Sequence, residues 1–372
     1  MAKKVYIGVA GKARKVKKMY FGVGGKARKV KKGYIGIGGK ARPFFSGGEL
    51  AYYGTATDLS VARHSLAATA VGNYALFGGG VYVSSGGVRS AVVDAYNASL
   101  TRSTPTALST VKSNLAATAV GDYALFGGGS SGNGQCSDVD AYNMSLTRST
   151  PTDLSVPRYY LAATTVGNYA LFGGGYSGAS RATVDAYNAS LTRSTPTDLS
   201  TPRHYLRATS IGNYALFGGG SKSGSYSSAI DAYNASLTKS TPTDLSTPRQ
   251  YLGATSIGNY ALFGGGYTGS NSEVVDAYDT SLIRSTPATL SSGRRDLAAT
   301  SIGDYALFGG GQPSSGYSSA VDVYDVNLAR STPTALSGAR TKLAATSVGN
   351  YALFGGGYDG KLSAAVDAYT VA

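Results

Sequence analysis

The chain has 372 residues, with 34 Lys and Arg against 20 Asp and Glu, and it contains two His, one Cys and no Trp. A single cysteine, Cys136, forms no internal disulfide, which excludes a disulfide-stabilised scaffold. Two histidines and one cysteine are too few for most metal centres built from those residue types. No apolar stretch reaches the roughly 18 residues of a membrane-spanning helix, and we expect a protein made in the cytoplasm without membrane insertion.

The positive charge is concentrated at the N-terminus. Residues 1–43 hold eleven Lys and three Arg with no acidic residue, whereas the rest of the chain holds 20 basic and 20 acidic residues. Residues 1–45 contain three similar 14-residue units, with Tyr6, Tyr20 and Tyr34 at equivalent positions. Apolar and polar residues alternate within each unit, which predicts a basic arm of β-hairpin repeats. The predicted turns are Ala10-Gly11, Gly24-Gly25 and Gly38-Gly39.

The basic arm is predicted to be an attachment device. A single hairpin is marginally stable in water, so the units must stack on each other, on sister chains or on a larger assembly. A polyanion-binding tail and a solvated, partly disordered extension are the alternatives. The predicted anchoring residues are Lys3, Lys4, Tyr6, Lys17, Lys18, Tyr20, Lys31, Lys32 and Tyr34.

An internal repeat defines the body of the chain, residues 46–372. The segment Tyr-Ala-Leu-Phe-Gly-Gly-Gly occurs seven times at intervals of 45 to 49 residues, beginning at Tyr74, Tyr123, Tyr169, Tyr214, Tyr260, Tyr305 and Tyr351. A unit of this length holds four strands of about five or six residues with their turns, as one propeller blade does. The sequence therefore predicts an all-β fold with a seven-bladed β-propeller.

The order of the strands predicts how the ring closes. In the third unit, the predicted strands are Leu161–Val166, Tyr169–Phe172, Thr183–Tyr187 and Ser194–Leu199. Pro196 places the last of them at the sheet edge, where proline is tolerated. The chain stops after a third strand, whereas residues 53–60 match residues 194–200. We expect this N-terminal segment to supply the missing outer strand of the last blade.

These residues resemble the kelch-repeat propellers, a family that includes the propeller domain of galactose oxidase. The shared features are the glycine pair after the second strand, Val-Asp-Ala-Tyr on the third strand, and an Arg after the fourth, as in Thr201-Pro202-Arg203. The Trp that usually follows the third-strand Tyr is absent. The whole chain with its basic arm also resembles tail-associated structural proteins of phages and prophages of Gram-positive bacteria. That resemblance implies a location in the virion.

The blades are near copies of each other except at two places. One is the loop after the glycine run, from Val81–Arg89 in the first unit to Tyr358–Leu362 in the last. The other is the residue pair before the first strand, from His64-Ser65 to Thr341-Lys342. Because successive strands run in opposite directions, both sets are expected on one face of the ring, and the other face is nearly constant.

Variation on one face predicts a binding surface, because loops carry recognition while the scaffold keeps its packing. Tyr, Ser, Gly, Asn and Arg dominate these positions, as they do in antibody paratopes. Unconstrained drift of surface loops is the alternative. The predicted ligand-binding residues are Tyr159, Tyr160, Tyr176, His204, Tyr205, Tyr251 and Arg295.

Two further positions recur in the blades and suggest sites. A cation before each first strand, such as Arg158, and an Asp on each third strand, such as Asp185, form two matching rings. We expect each cation to pair with a neighbouring carboxylate or backbone oxygen, the alternative being an anion site at the channel mouth. Asn97 and its equivalents fit the Asn-x-Ser glycosylation pattern, but Asp279 and Asp325 replace them, which predicts an Asx turn.

Enzymatic motifs are incomplete in this sequence. Galactose-oxidase chemistry needs clustered copper-binding His and Tyr, whereas His64 and His204 occupy equivalent positions three blades apart. The segment 128–132 matches the nucleophile-elbow pattern but has no helix after it. We therefore expect a non-enzymatic virion protein with no cofactor or metal. Its arm contacts other virion proteins, and its propeller binds a host-surface protein or glycan as a receptor-binding adhesin.

Other readings of the sequence stay open. The protein is alternatively a purely structural or decoration protein of the virion, or an intracellular kelch-type adaptor for protein interactions. A homo-oligomer is compatible with the arm, and nucleic acid is a less favoured partner for its positive charge.

Overall fold

The computed structural model describes residues 48–83 and 87–371, together with the backbone of six strands within the first 46 residues. The described residues form strands and turns and no helix, so none of them belongs to a helix able to span a bilayer. Seven four-stranded antiparallel sheets follow one another along the chain. Each sheet is one blade, and the first strands of the seven blades contact one another in a closed ring. The predicted seven-bladed β-propeller is confirmed.

Each blade has four strands, numbered here from the axis outwards. The first strands are Ala67–Val71, Ala116–Val120, Ala162–Val166, Arg207–Ile211, Gly253–Ile257, Ala298–Ile302 and Ala344–Val348. The second strands are Tyr74–Gly78, Tyr123–Gly127, Tyr169–Gly173, Tyr214–Gly218, Tyr260–Gly264, Tyr305–Gly309 and Tyr351–Gly355. The third strands are Val93–Asn97, Val139–Asn143, Val184–Asn188, Ile230–Asn234, Val275–Asp279, Val321–Asp325 and Val366–Val371. The fourth strands are Arg102–Ser103, Arg148–Ser149, Arg193–Ser194, Lys239–Ser240, Arg284–Ser285, Arg330–Ser331 and Leu50–Thr55.

Three blades carry an extra hairpin in the loop between the second and third strands. These short strand pairs are Val81–Val83 with Val88–Arg89, Ser130–Ser131 with Gly134–Gln135, and Ser221–Lys222 with Ser225–Tyr226. In the first of these loops, residues 84–86 lie outside the described part of the chain.

The first two strands of each blade form a hairpin around a glycine turn. In blade 1 the turn residue Gly72 has a φ of 53°, which glycine adopts without steric cost. The second strand pairs with the first on one side and with the third on the other. The repeated Tyr-Ala-Leu-Phe-Gly segment therefore lies in the middle of each sheet.

The fourth strand is shorter than the sequence predicted. In blade 3 it spans Arg193–Ser194, and the prediction of Ser194–Leu199 was wrong. Pro196 has no N–H for a longer ladder, so the chain leaves the sheet and bridges two blades. The Leu199 N–H donates to a carbonyl of blade 3 at 2.8 Å. The next N–H, of Ser200, donates to Asp231 Oδ1 of blade 4 at 2.9 Å.

The ring closes through an N-terminal outer strand, as the sequence predicted, but this strand spans Leu50–Thr55 rather than residues 53–60. The segment Leu50–Thr55 pairs antiparallel with Val366–Val371 and is the fourth strand of blade 7. It has six residues, whereas the fourth strands of the other blades have two. One sheet thus contains segments from both ends of the propeller.

The hydrophobic core is divided among the seven interfaces between blades. Seven clusters of buried side chains each draw on two neighbouring blades. At the interface of blades 1 and 2, a Cβ on Gly78 would lie 2.7 Å from the Phe126 ring, so the glycine makes room for that ring. Phe126 in turn packs edge-on against Tyr142, with ring centroids 5.9 Å apart.

A buried ion pair recurs in every blade. In blade 3, Arg158 Nη2 lies 2.7 Å from Asp185 Oδ2, and both side chains are fully buried. Arg158 also donates to the Phe172 carbonyl at 3.1 Å, and Asp185 accepts from the Ser155 N–H of the preceding blade's outer segment at 3.1 Å. The other pairs are Arg63–Asp94, Lys112–Asp140, Arg203–Asp231, Arg249–Asp276, Arg294–Asp322 and Arg340–Asp367.

The predicted pairing of the two charged rings is therefore confirmed. The alternative of an anion site at the channel mouth is wrong, because these cations are buried inside the blades and already paired with carboxylates. The pairs connect the strands of each blade with the segment arriving from the preceding blade.

Side-chain contacts stabilise the turns on the nearly constant face of the propeller. Asn97 Oδ1 accepts hydrogen bonds from the Ser99 and Thr101 N–H groups, each at 2.9 Å. The Asp that replaces it in blade 5 makes the same pair of bonds, so the predicted Asx turn is confirmed. A Cβ on the turn residue Gly121 would lie 3.0 Å from Ala189 of the next blade. These contacts restrict the sequence of this face.

The arm contributes three antiparallel strand pairs to the described backbone. They are Tyr6–Val9 with Lys12–Lys15, Tyr20–Val23 with Lys26–Lys29, and Lys32–Ile37 with Lys40–Ser46. The predicted turns and the predicted anchoring residues Lys3, Lys4, Lys17, Lys18 and Lys31 lie outside the described residues. Tyr6, Tyr20, Lys32 and Tyr34 lie in strands described by their backbone alone. The basic repeat arm and its anchoring role stay predictions.

Candidate functional site

The two variable sets lie on the same face of the propeller, as the strand directions predicted. In each blade the first residue of the variable pair bridges to the first residue of the variable loop. In blade 3 the Tyr159 N–H donates to the Tyr176 carbonyl at 3.2 Å, and the Tyr176 N–H donates back at 2.8 Å. We name the seven residues of the pair that make this bridge the outer ring: His64, Ser113, Tyr159, His204, Gln250, Arg295 and Thr341.

The second residue of each variable pair belongs to a closed circle around the propeller axis. We name this circle the inner ring: Ser65, Asn114, Tyr160, Tyr205, Tyr251, Asp296 and Lys342. The backbone N–H of each member donates to the carbonyl of the preceding member at 2.9 to 3.2 Å, and the Ser65 N–H closes the circle on the Lys342 carbonyl. All seven members have φ between 52° and 57°, in the left-handed region.

The geometry of the inner ring explains why its side chains vary. Backbone hydrogen bonds hold the members in place. These bonds do not depend on the side chain, so the residue type at each position is free to differ. Left-handed backbone at a residue other than glycine costs about 1 kcal/mol or more, and such residues often cluster at functional sites. Variation alone therefore does not identify a binding surface. A binding site is instead indicated by the side chains that the two rings bring together.

Six of the seven predicted ligand-binding residues form one aromatic cluster. Tyr159, Tyr160, Tyr205, His204 and Tyr176 contact one another in a closed loop, with ring centroids 4.0 to 5.6 Å apart. Tyr251 extends the cluster, with its centroid 4.1 Å from that of Tyr205. All six side chains are half-buried. We use the name aromatic cluster for these six residues.

The seventh predicted residue, Arg295, lies apart from this cluster. Its guanidinium carbon is 4.9 Å from the centroid of the Tyr267 ring, and its Nη2 donates to Gln312 Oε1 at 3.3 Å. Arg295 thus belongs to a second set of side chains, on blades 5 and 6.

The inner ring surrounds the mouth of a cavity of about 720 Å³. The first strands of all seven blades line the cavity, and their small side chains, such as Ala68 and Ala299, leave the space open. Tyr160, Tyr205 and Tyr251 border it on blades 3 to 5, and Asp296 and Lys342 border it on blades 6 and 7. One side of the mouth is therefore aromatic and the other is charged.

The cavity carries more positive than negative charge. Among the described lining residues, the cations are Arg207, Arg295 and Lys342, and the one carboxylate is that of Asp296. Burial raises the pKa of Asp296, and the nearby charges of Arg207, Lys342 and Arg295 oppose this rise. Burial, with a smaller contribution from Lys342, lowers the pKa of His64 to about 4, so His64 is neutral at pH 7.

The tyrosine hydroxyls at the cavity mouth are neutral at physiological pH. Burial raises the pKa of Tyr251 to about 12, and burial also raises the pKa values of Tyr160 and Tyr205. Neutral hydroxyls both donate and accept hydrogen bonds. The aromatic side of the mouth therefore offers ring faces together with hydrogen-bonding groups.

Sequence reasoning missed the charged side of the cavity. Arg207 begins the first strand of blade 4, at a position where most blades have Ala. This difference between blades is the sequence feature that could have pointed to it. Asp296 and Lys342 belong to a variable pair, but the predicted site was weighted towards aromatic residues. Tyr267 begins a variable loop and was not singled out.

Neither a protein-family model nor a curated protein matches the sequence. The class is therefore defined by the fold and the cavity: a seven-bladed β-propeller, consistent with the kelch type, with an aromatic and cationic cavity on its variable face. Within the described part of the chain, no group of three or more His, Cys, Asp or Glu side chains is placed to hold a metal ion.

Proposed function

We propose that the protein is a non-enzymatic recognition module of a phage particle. In this proposal the cavity on the variable face binds a host-surface ligand, and the basic arm holds the propeller on the particle. The observation that carries the proposal is the aromatic cluster at the cavity mouth. It brings six side chains from variable positions of blades 3 to 5 into contact.

The composition of the cavity mouth supports a binding role. Binding sites for small ligands are concave and combine aromatic side chains with a few polar groups that fix orientation. Tyrosine supplies a large contact area at a low cost in conformational entropy, which is why it is enriched in recognition surfaces. The half-buried tyrosines of the inner ring have both properties.

The surroundings of the histidines support a role without catalysis. His64 Nδ1 lies 2.9 Å from Ser65 Oγ, a contact that resembles part of a catalytic triad. Burial lowers the His64 pKa, and the nearby charge of Lys342, a cation rather than the carboxylate of a catalytic triad, lowers it further. Such a cation opposes the imidazolium that a general base forms.

The location in a phage particle rests on other observations. The whole chain with its basic arm resembles tail-associated phage proteins, and the arm carries fourteen cations and no acid while the body is neutral. A charged extension of this kind suits attachment to a larger assembly better than a role in the propeller's own core.

The test exchanges the inner-ring tyrosines for residues that the same position holds in other blades. Ser65 and Asn114 occupy this position with the same backbone geometry, so the variant Y160S/Y205N/Y251S is expected to fold. Loss of a central aromatic patch lowers affinity by at least about tenfold. We expect that loss for binding of the purified protein to host cells, measured by a titration with labelled protein.

The matched control is Tyr53→Ala, which removes a tyrosine on the outer strand of blade 7 that is 56% exposed. The control is expected to bind like the unchanged protein. Equal binding by the triple variant, with an unchanged thermal unfolding curve, would contradict the proposal and favour a decoration role in the virion.

A further inference from the structure

We infer that the cavity binds an anionic saccharide, whose hydroxyls and ring contact the tyrosines and whose carboxylate or phosphate contacts Arg207. This inference rests on the proposed function and names the ligand class of the same site.

Arg207 differs from the buried arginines of the blades. Five of those arginines lie 2.5 to 2.8 Å from an Asp carboxylate, and Arg203 forms the same pair with Asp231. Arg207 Nη1 donates to the Leu206 carbonyl at 3.2 Å. No carboxylate among the described residues lies within salt-bridge distance of it. Burial lowers the pKa of Arg207, and the nearby charge of Asp296 opposes this shift. The Arg207 side chain is half-buried, and a partly desolvated cation without a salt-bridge partner costs free energy. An anionic ligand would offset that cost.

The charges around Arg207 do not cancel. Asp296 is the one carboxylate among the described lining residues, and it faces Arg207, Arg295 and Lys342. His64 is neutral at pH 7, because its pKa is lowered to about 4. The cavity therefore has an excess of two positive charges from these side chains. The excess of positive charge favours an anion entering the cavity.

The backbone of the inner ring does not supply the anion contacts. Each of its seven N–H groups already donates to a neighbouring carbonyl. Recognition of an anion therefore falls to the side chains, and Arg207 presents the planar donor group that suits carboxylate and phosphate.

The arrangement of the tyrosines favours a saccharide over a planar aromatic anion. Neighbouring rings along Tyr160, Tyr205 and Tyr251 have centroids 4.0 and 4.1 Å apart, with interplanar angles of 44° and 41°. That spacing leaves no room for a base to insert between them. The rings instead present neutral hydroxyls and outer faces, which suit a ligand that is rich in hydroxyl groups.

The experiment compares four probes on the full chain: an oligogalacturonate, an oligo(glycerol phosphate) carrying sugar, a neutral malto-oligosaccharide of equal length, and AMP. The central variant is Arg207→Ala, which places on blade 4 the residue that blades 1 to 3 have at this position, Ala67, Ala116 and Ala162. Binding is measured by calorimetry at physiological salt. The basic arm is present in both proteins, so its contribution to polyanion binding cancels in the comparison.

One acidic saccharide is expected to bind at least about tenfold more tightly than the neutral one, and R207A is expected to weaken binding of that acidic probe by at least about tenfold while leaving neutral binding unchanged. The stronger of the two acidic probes identifies carboxylate or phosphate as the bound group. Asp296→Asn, which copies Asn114 of blade 2, removes the opposing carboxylate and is expected to tighten binding of the same probe.

Three results would overturn the inference. They are equal binding of neutral and acidic saccharides, tighter binding of AMP, and acidic binding that R207A leaves unchanged. Neutral binding that is lost in Y160S/Y205N/Y251S would overturn the anionic ligand and leave the proposed function standing. Host-cell binding that survives the triple variant would contradict the proposed function itself.

Discussion

Lys112 replaces arginine in the buried ion pair of blade 2, and its surroundings differ accordingly. Its Nζ contacts Asp138 and lies 3.1 Å from Asp140 Oδ2. The other blades have Val, Thr or Ala where blade 2 has Asp138. Lysine is a compact point charge without the second donor arm of arginine, so a second carboxylate compensates for the lost contacts. Both departures are visible in the sequence, but only the structure connects them.

This pair of departures predicts a coupled effect on stability. Asp138→Val alone removes a carboxylate contact of a buried lysine and is expected to lower the free energy of unfolding by about 1–3 kcal/mol. The double variant K112R/D138V restores the pattern of the other blades and is expected to recover that loss. Denaturant unfolding of the two single variants and the double variant measures the coupling. Additive effects would contradict the compensation.

His64 predicts a pH dependence of stability. Its pKa is lowered from 6.5 to about 4, first by burial and then by Lys342. The unfolded chain therefore takes up the proton first, so the stabilising contribution is complete above pH 6.5 and is lost as the pH falls towards 4. A shift of this size corresponds to about 3 kcal/mol between pH 7 and pH 4. Because the His64 side chain is partly exposed, solvent screening reduces the expected fall in the free energy of unfolding to on the order of 2 kcal/mol.

The matched variant for this prediction is His64→Gln, which copies Gln250 at the same position of the outer ring. Its unfolding free energy is expected to fall less than that of the unchanged protein between pH 7 and pH 4. Other acidic groups titrate equally in both proteins. Identical pH profiles would show that His64 does not contribute.

The inner ring marks the limit of prediction at this scale. Its positions were recognised as variable, but residues such as Tyr160 and Lys342 carry no signal for left-handed backbone. That conformation follows from hydrogen bonds between residues of different blades. A local sequence pattern does not predict such bonds. Arg207 was missed for a related reason, because a single cation on a strand does not show in the sequence which residues of other blades lie near it.

At the scale of strands, the sequence predicted the order well and one boundary poorly. Small and β-branched residues, a glycine turn and a spacing of 45 to 49 residues specify the inner strands. The fourth strand ends at Ser194 because Pro196 follows shortly after, and the segment beyond it bridges blades 3 and 4. An extended segment outside a sheet has an amino-acid composition similar to that of a strand, so the sequence alone does not distinguish the two.

The fourth strand of blade 7 predicts which part of the N-terminus the propeller needs. A protein without residues 2–47 keeps Leu50–Thr55 and is expected to unfold at the same temperature as the full chain. A protein without residues 2–55 loses five paired positions. At about 1 kcal/mol for each hydrogen bond, its melting temperature is expected to fall by roughly 10 °C or more.

Calorimetry checks both deletions, and size-exclusion chromatography checks association through the exposed edge of Val366–Val371. Equal melting temperatures for the two deletions would show that the closing strand adds little. Retention of the shorter deletion on purified particles would count against the anchoring role of the arm.

The propeller combines a repeated scaffold with seven inner-ring positions whose side chains differ between blades. The buried ion pairs, the Phe–Tyr contacts and the glycine turns repeat around the circle, whereas the inner ring holds Ser, Asn, three Tyr, Asp and Lys. The sequence repeat predicted the scaffold because the same residues pack in the same way in each blade. The chemistry of the cavity mouth was beyond such a prediction, because it depends on the positions where the blades differ.

The backbone circle of the inner ring affects how residue substitutions at its positions combine. Each of the seven positions is held by backbone hydrogen bonds that do not depend on its side chain, but neighbouring side chains such as Tyr160 and Tyr205 contact each other, so substitutions at adjacent positions are expected to be coupled. Residue changes on the inner ring alter the lining of the cavity mouth and leave the hydrophobic interfaces between blades intact. The same property makes the propeller a natural starting framework for a combinatorial library of binders.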